Sequence, residues 1–505
     1  MKKLSKLLNR INFPKLSFLQ FLVWVYIFFI PFWPKLPLKT ITYTYIAVRY
    51  EDLFMAFITL VFGLYLIFKK IELPKNPFNI LIPLYWIVVI ISALVGFYHY
   101  KSVESLQLIL LHAFRRVEYM IVFFIGLSSI KNNKQLKFYL NSLMVMLFVI
   151  SVYGIGQKFW GWPAIQTMNP HYSKGYLLTL DANARISSSF GGHYDFAAFL
   201  VFLMPLSLGL FLYFKKIRYF LVFTVSLIAL ILTASRASYV AYLLTVPLFI
   251  LLLKRYKLLL VVIALTIILT PLSDTLTKRI NRTFRQELVW VNNDSGRAIV
   301  PRKIIASDLP AGDYIIKNEG NKSLRQTDEQ VSMIKNELKE TIIREAEQSG
   351  KKLTESQIDR MVDEAFSTFK PISTVLPDIS FATRLQVEWP RAIKAFLKNP
   401  LLGTGPGSIT EATDNDYLRA LGETGFLGFS LFFGVLLKLA WHFWQQGRKH
   451  KVYQGIFWGV LFGILALLIN ALYIDVFEAS KVALMIWLVW GMIYKLNFLK
   501  KNEIK

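Results

Sequence analysis

The sequence contains no cysteine, which excludes disulfides and thiolate metal sites. Histidine is scarce: six residues are scattered along the chain, none at a spacing that binds zinc. The 32 acidic residues form no cluster dense enough to argue for a bound cation. Gly403-Thr404-Gly405-Pro406-Gly407 is followed by no Gly-Lys-Ser/Thr, so it is not a nucleotide phosphate loop. No internal repeat links the two halves, which argues against inverted-repeat transporter architecture. Apolar residues, by contrast, make up 55% of the 505 positions and run in long stretches with few charges.

Apolar runs of about 18 residues or more match the thickness of a hydrocarbon core. They predict about twelve spans, near 17–33, 52–68, 77–98, 104–130, 138–158, 195–214, 218–235, 237–253, 257–273, 425–444, 455–475 and 479–494. The expected fold is an all-α polytopic membrane protein of about twelve transmembrane helices. The fourth span carries Arg115, Arg116 and Glu118 in its middle, suited to a carboxylate on a neighbouring helix. The first run ends in Pro31-Phe32-Trp33-Pro34 with no small-residue cleavage site, so an uncleaved anchor is expected.

The formal charge of +26 raises the question of nucleic acid. The basic residues answer it by falling on alternate connections instead of one folded face. They gather at Lys69-Lys70, Lys131 to Lys137, Lys215 to Arg218, Lys254 to Lys257, Arg448 to Lys451 and both ends of the chain. Every even-numbered connection is basic. Both termini are therefore expected in the cytoplasm, with the odd-numbered connections outside.

Three outside segments are long enough to matter: about 156–193, the tip at Arg236, and about 274–424. The domains expected are an N-terminal bundle at 1–273, an extracytoplasmic loop at 274–424, and C-terminal helices with a tail at 425–505. Within the loop, about 298–370 reads as a small α(+β) insert. Thr327 to Gln330 has capping-box spacing before the apolar face Val331, Ile334, Leu338 and Ile342. Gly350 is a stop, and Thr354-Glu355-Ser356-Gln357 opens a second helix. The β-prone runs between Ala298 and Leu324 suggest a strand pair.

Ionisable residues near membrane depth are costly and point to function. Here they gather on the outside: Arg185, His193 and Asp195; Ser235-Arg236; Arg384, Arg391, Asp414, Asp416, Arg419 and Glu423; Asp475 and Glu478. Several arginines facing a few carboxylates suit a phosphate-bearing substrate, because guanidinium pairs bidentately with phosphate oxygens. Taken singly, the dull readings hold: Arg236 as a headgroup anchor, Asp414 as a helix N-cap, the glycine run as a turn.

In combination these features are specific. A basic residue before the sixth span, a Ser-Arg tip and a long outside loop precede Arg384…Trp389, Asn399-Pro400-Leu401-Leu402-Gly403-Thr404-Gly405, and Asp414-Asn415. Nine residues then separate Asn415 from Gly425-x-x-Gly428. This order resembles the O-antigen ligase and polymerase superfamily, loosely over most of the chain and sharply over 383–430. The resemblance implies a polysaccharide-assembling glycosyltransferase of the bacterial cytoplasmic membrane. Its donor is a glycan on a polyprenyl diphosphate, and its acceptor a glycan or glycolipid hydroxyl. It implies no nucleotide sugar, metal or other cofactor. Position by position, Arg236 and Arg185 match the arginines that grip the diphosphate, and Arg384 assists. Arg391, Asn415, Arg419 and Glu423 are the remaining substrate-binding candidates. The ligases begin the last motif with histidine. Asp414 stands there in this chain, and a carboxylate can also take a hydroxyl proton. The substitution leaves polymerase and ligase both open. Two other classes compete: a flippase for lipid-linked glycans, which would want charges along a midplane cavity, and a non-catalytic surface-binding protein.

Overall fold

A computed structural model describes residues 14–40, 47–165, 177–181, 184–281, 284–292, 298–299, 331–332, 335–336, 338–344, 346, 353–367, 369–377, 384–409 and 413–499. Two compact units divide it, Met1–Ile280 with Arg384–Lys505, and Asn281–Thr383.

The first unit is helical. A helix stands on each apolar run: α1 Phe18–Phe32, α2 Tyr50–Ile67, α3 Phe78–Tyr98, α4 Leu106–Ser129, α5 Asn133–Phe159, α6 His193–Phe214, α7 Ile217–Leu232, α8 Arg236–Leu252 and α9 Tyr256–Leu269. The strands β1 Pro37–Thr40 and β2 Ala47–Arg49 pair between α1 and α2. By length and composition, seven of the described helices suffice to cross a membrane. They are α2, α3, α5, α6, α13 (Asp416–Lys449), the helix ending in α14 (Gln454–Asn470), and the one beginning with α15 (Ser480–Lys495). The count becomes eight if α9 is joined to the short α10 (Asp274–Asn281), from which it is bent by 98°. The helices α1, α7 and α8 are apolar but shorter, and α4 carries the three mid-helix charges already noted.

Glycines set how closely the helices pack. On α14, Gly455, Gly459 and Gly463 recur at intervals of four and lie against α6. A Cβ on Gly459 would lie 2.9 Å from Leu206 Cα, and one on Gly463 2.5 Å from the Phe202 carbonyl. Gly209 answers from α6, 2.1 Å by the same measure from the Gly455 carbonyl. Small residues let backbones touch where lipid offers no hydrophobic drive for association. The pair α4 and α15 uses the same device, through Gly126 and Gly491.

The second unit contains an antiparallel sheet of order β4-β3-β5, from β3 Phe284–Asn292, β4 Ala298–Ile299 and β5 Phe369–Pro377. The long partner of β3 is thus β5, almost 80 residues on, and only β4 comes from the region expected to form a strand pair; the rest of that region, with Thr327 to Gln330 and Gly350, lies outside the described residues. The helix α11 (Glu355–Ser367) begins as expected at Thr354, whose amide donates to Gln357 Oε1 at 2.9 Å. Helical residues at 335–336 and 338–344 are tied to it by Lys335–Asp363 and Lys339–Asp359 ion pairs.

Candidate functional site

The odd-numbered connections of the first unit meet at one end. Ser102 Oγ, after α3, donates to the Thr404 carbonyl. Ser189, before α6, donates to the Pro31 carbonyl in the last turn of α1. Arg236 Nη1, at the α7–α8 tip, donates to the Arg279 carbonyl on α10 at 3.3 Å. Asn415 Nδ2 donates to the Leu472 carbonyl after α14 at 3.0 Å. Lys481, wholly buried, donates to the Pro31 and Ser189 carbonyls and so fixes the segment that carries Arg185. Gln157 braces that segment from the other side, accepting from the amides of Ser187 and Ser188. At the opposite end the even connections gather: Arg218 donates to Asn141, and Phe78 packs on Tyr494.

The glycine-rich run proves to be a turn with a defined seat. It follows α12 (Trp389–Lys398) and lies along a break in α13. Gly425 has φ +63° and ψ −169°, so the helix is interrupted there. The amides beyond the break, Phe426 and Leu427, donate to the Pro400 and Leu401 carbonyls. The Thr404 and Gly405 amides donate to the Gly422 and Glu423 carbonyls. A side chain at Gly425 would lie 2.4 Å from Leu401, so both the dihedral and the contact require glycine. Ser92 of α3 donates to the Leu402 and Glu423 carbonyls and closes the joint.

Carboxylates and guanidinium groups lock this frame. Arg116 of α4 bonds to Glu423 and to Glu478, meeting the expectation that a mid-span arginine seeks a neighbouring carboxylate. Glu423, 1% exposed, also accepts from the Gly407 amide. Arg419 pairs with Asp475 at 3.0 Å, and Asp475 accepts from the amides of Thr413, Asp414 and Asn415. Asp416 accepts from the amides of Val476 and Phe477. Burial would raise the Glu478 carboxyl, yet Arg116 and Arg419 hold it below its ordinary range. Each of these groups is spent on joining the 413–423 stretch to the 472–478 connection.

Asp414 stands apart from the lock. It is not the N-cap of α13; Asn415 is, accepting from the Leu418 amide at 2.9 Å. Asp414 has φ +50°, a left-handed conformation uncommon outside glycine. Its carboxylate bonds to Arg384, whose guanidinium lies 4.0 Å over the Tyr473 ring. Burial pushes Asp414 up to about 6 against the pull of Arg384. Glu388 ends the same π-helical turn, Arg384–Glu388. Burial first, and then the Asp414 charge, push Glu388 up to about 7.

Tyr194, on the first turn of α6, is within electrostatic reach of Arg185, Arg279, Arg384 and Asp414. Its ring lies under Arg185 at 5.8 Å and against His193 at 4.0 Å. The arginines expected from sequence at 185 and 384 are thus brought to one tyrosine beside Asp414, and Arg236 reaches the same group through Arg279. Arg391 is exposed on α12, within electrostatic reach of Glu388. Asn415, Arg419 and Glu423 serve the frame. Sequence reasoning missed Arg279, Tyr194, Tyr473 and Glu388. The 98° turn after α9 presents Arg279, and no apolar periodicity announces such a turn. The two tyrosines look like ordinary interfacial aromatics.

Such a group of guanidiniums beside two carboxylates of raised proton affinity can hold a polyanion and accept a proton. Among curated proteins none matches this chain. Residues 221–433 match the family described as O-antigen ligase. The matched stretch takes in Arg236, Arg279, Arg384, Glu388, Asp414 and the broken half of α13, while Arg185, Asp475 and Glu478 lie beyond it. The chain is a multi-pass membrane protein whose residues 221–433 match the O-antigen ligase family.

Proposed function

We propose that this protein is a membrane glycosyltransferase of the ligase or polymerase kind. It moves an oligosaccharide from a polyprenyl diphosphate to an acceptor hydroxyl on the outer side of the bacterial cytoplasmic membrane. About twelve crossings and cytoplasmic termini go with this reading, supported by basic residues on every even connection. One observation carries the chemistry: Arg384 and Asp414 meet Tyr194, Arg185 and Arg279 at the end of the bundle away from those basic connections.

Arg185 and Arg236 grip the diphosphate, with charge developing on the leaving oxygen met by guanidinium. Asp414 accepts the hydrogen bond of the acceptor hydroxyl, and Arg384 holds that carboxylate in place. Inversion at the anomeric carbon follows from a single attack opposite the leaving diphosphate. A flippase has less support, since the charges cluster at one end.

Surface glycan resolved by gel from a deletion strain tests this. Complementation with the wild type is expected to restore long chains, whereas Asp414→Asn and Arg236→Ala restore none. Collapse to single repeat units identifies a polymerase; full-length glycan left on the lipid carrier identifies a ligase. Normal chains on their normal acceptor in the deletion strain sink both.

A further inference from the structure

Among the carboxylates around the site, Glu388 alone is not engaged by a hydrogen bond that the frame uses. Asp416, Glu423, Asp475 and Glu478 all accept from backbone amides or guanidinium groups, and Asp414 holds Arg384. Glu388 Oε2 is shut off from solvent and has no hydrogen-bond partner among the described residues. A capping role would account for an acidic residue at this place, since Glu388 is the N-cap of α12, but its side chain makes no cap hydrogen bond. A buried, unsatisfied carboxylate oxygen is costly and calls for an explanation. Asp414 is its strongest charged neighbour, followed by Arg384, Asp475 and Arg391.

We propose that Glu388 is the terminal proton acceptor of the transfer, taking from Asp414 the proton that the acceptor hydroxyl gives up. This rests on the glycosyl-transfer reading above. The acceptor oxygen forms a bond to the anomeric carbon, and the bond from that carbon to the diphosphate oxygen breaks, its electron pair leaving with the lipid diphosphate. The hydroxyl proton passes to Asp414 and on to Glu388, which later releases it to water. The direction follows from the surroundings. The Arg384 guanidinium bonds to the Asp414 carboxylate and favours its charged form. Glu388 Oε2 is buried with no hydrogen-bond partner among the described residues, which favours the protonated form. Such pairs titrate jointly, and the proton settles on the member that its surroundings leave more basic.

The test uses the purified full-length protein in lipid nanodiscs, with the lipid-linked glycan that accumulates in the deletion strain as substrate. Glu388→Gln is expected to lower kcat by about 10²–10⁴-fold with little change in donor KM. The acid limb of its residual pH profile moves to lower pH, since the carboxyl that burial raises has been removed. Glu388→Ala supplied with azide forms a glycosyl azide, because azide brings no proton to remove. A variant that is merely misfolded gives no azide product. Glu388→Gln within about threefold of wild-type kcat overturns the proposal. So does a slow variant with an unmoved acid limb and no azide adduct. Both outcomes leave the glycosyl-transfer reading intact. Absence of any transfer by the wild type overturns that reading, and this proposal with it.

Discussion

Arg116 shows how a residue can look functional in sequence and turn out to hold the frame. An arginine in the middle of an apolar helix is costly unless something offsets that cost, and here two distant carboxylates do so, one on α13 and one in the connection after α14. Removing it leaves Glu423 and Glu478 buried together with Arg419 as their remaining counter-charge. Arg116→Ala is therefore expected to cost about 3 kcal/mol of stability, the low end of the range for breaking a buried ion pair. A fallen thermal midpoint in detergent would register it, and an unshifted one would mean the pairing contributes little. Its need for a carboxylate was legible in the sequence; which carboxylates answer was not, because they lie 307 and 362 residues away. Asp414 teaches the reverse. Read alone it suits a cap, yet Asn415 takes that role and frees the neighbouring carboxylate for Arg384.

At the scale of elements, apolar runs located most helices to within about five residues, because burial in lipid demands long uninterrupted hydrophobicity. The helix α13 begins at Asp416, ahead of the run expected from 425, because its first turns carry the charged frame. Breaks and turns were harder to foresee. The interruption at Gly425 depends on carbonyls of a turn more than 20 residues upstream, and the β3–β5 pairing spans the whole second unit. The seam between α6 and α14 was legible in principle, as glycines at every fourth position of an apolar run. Gly459→Leu drives a side chain into the backbone at Pro205 and Leu206. Overpacking of this kind costs typically ~1–3 kcal/mol and is expected to reduce the folded yield after solubilisation. Gly434→Leu, at a position with open space where a Cβ would stand, is the matched control. Equal yields from the two would show that the seam tolerates separation.

For the whole molecule, the alternation of basic and site-bearing connections is the strongest architectural statement in the sequence, and the meeting of odd connections at one end agrees with it. Since the chain has no native cysteine, single cysteines report sidedness directly. Glu104→Cys, in an odd connection, is expected to react with a membrane-impermeant maleimide in cells whose outer barrier, if any, has been opened. Lys216→Cys, in an even one, is expected to react only after the inner membrane is breached. The opposite pattern would put the arginine group in the cytoplasm and remove the basis for an outer-face donor.

The lock of α4 to α13 and to the connection after α14 also has a consequence in time. A chain made from its N-terminus at about 5–20 residues per second completes Arg116 roughly 15–60 s before Glu423 exists, given the 307 residues between them. Glu478 follows later still. Throughout that interval α4 must rest in or against the bilayer with its arginine unanswered, held by whatever waits on nascent membrane helices. The helix α13 and the connection between α14 and α15 are then the parts that admit it to its final place.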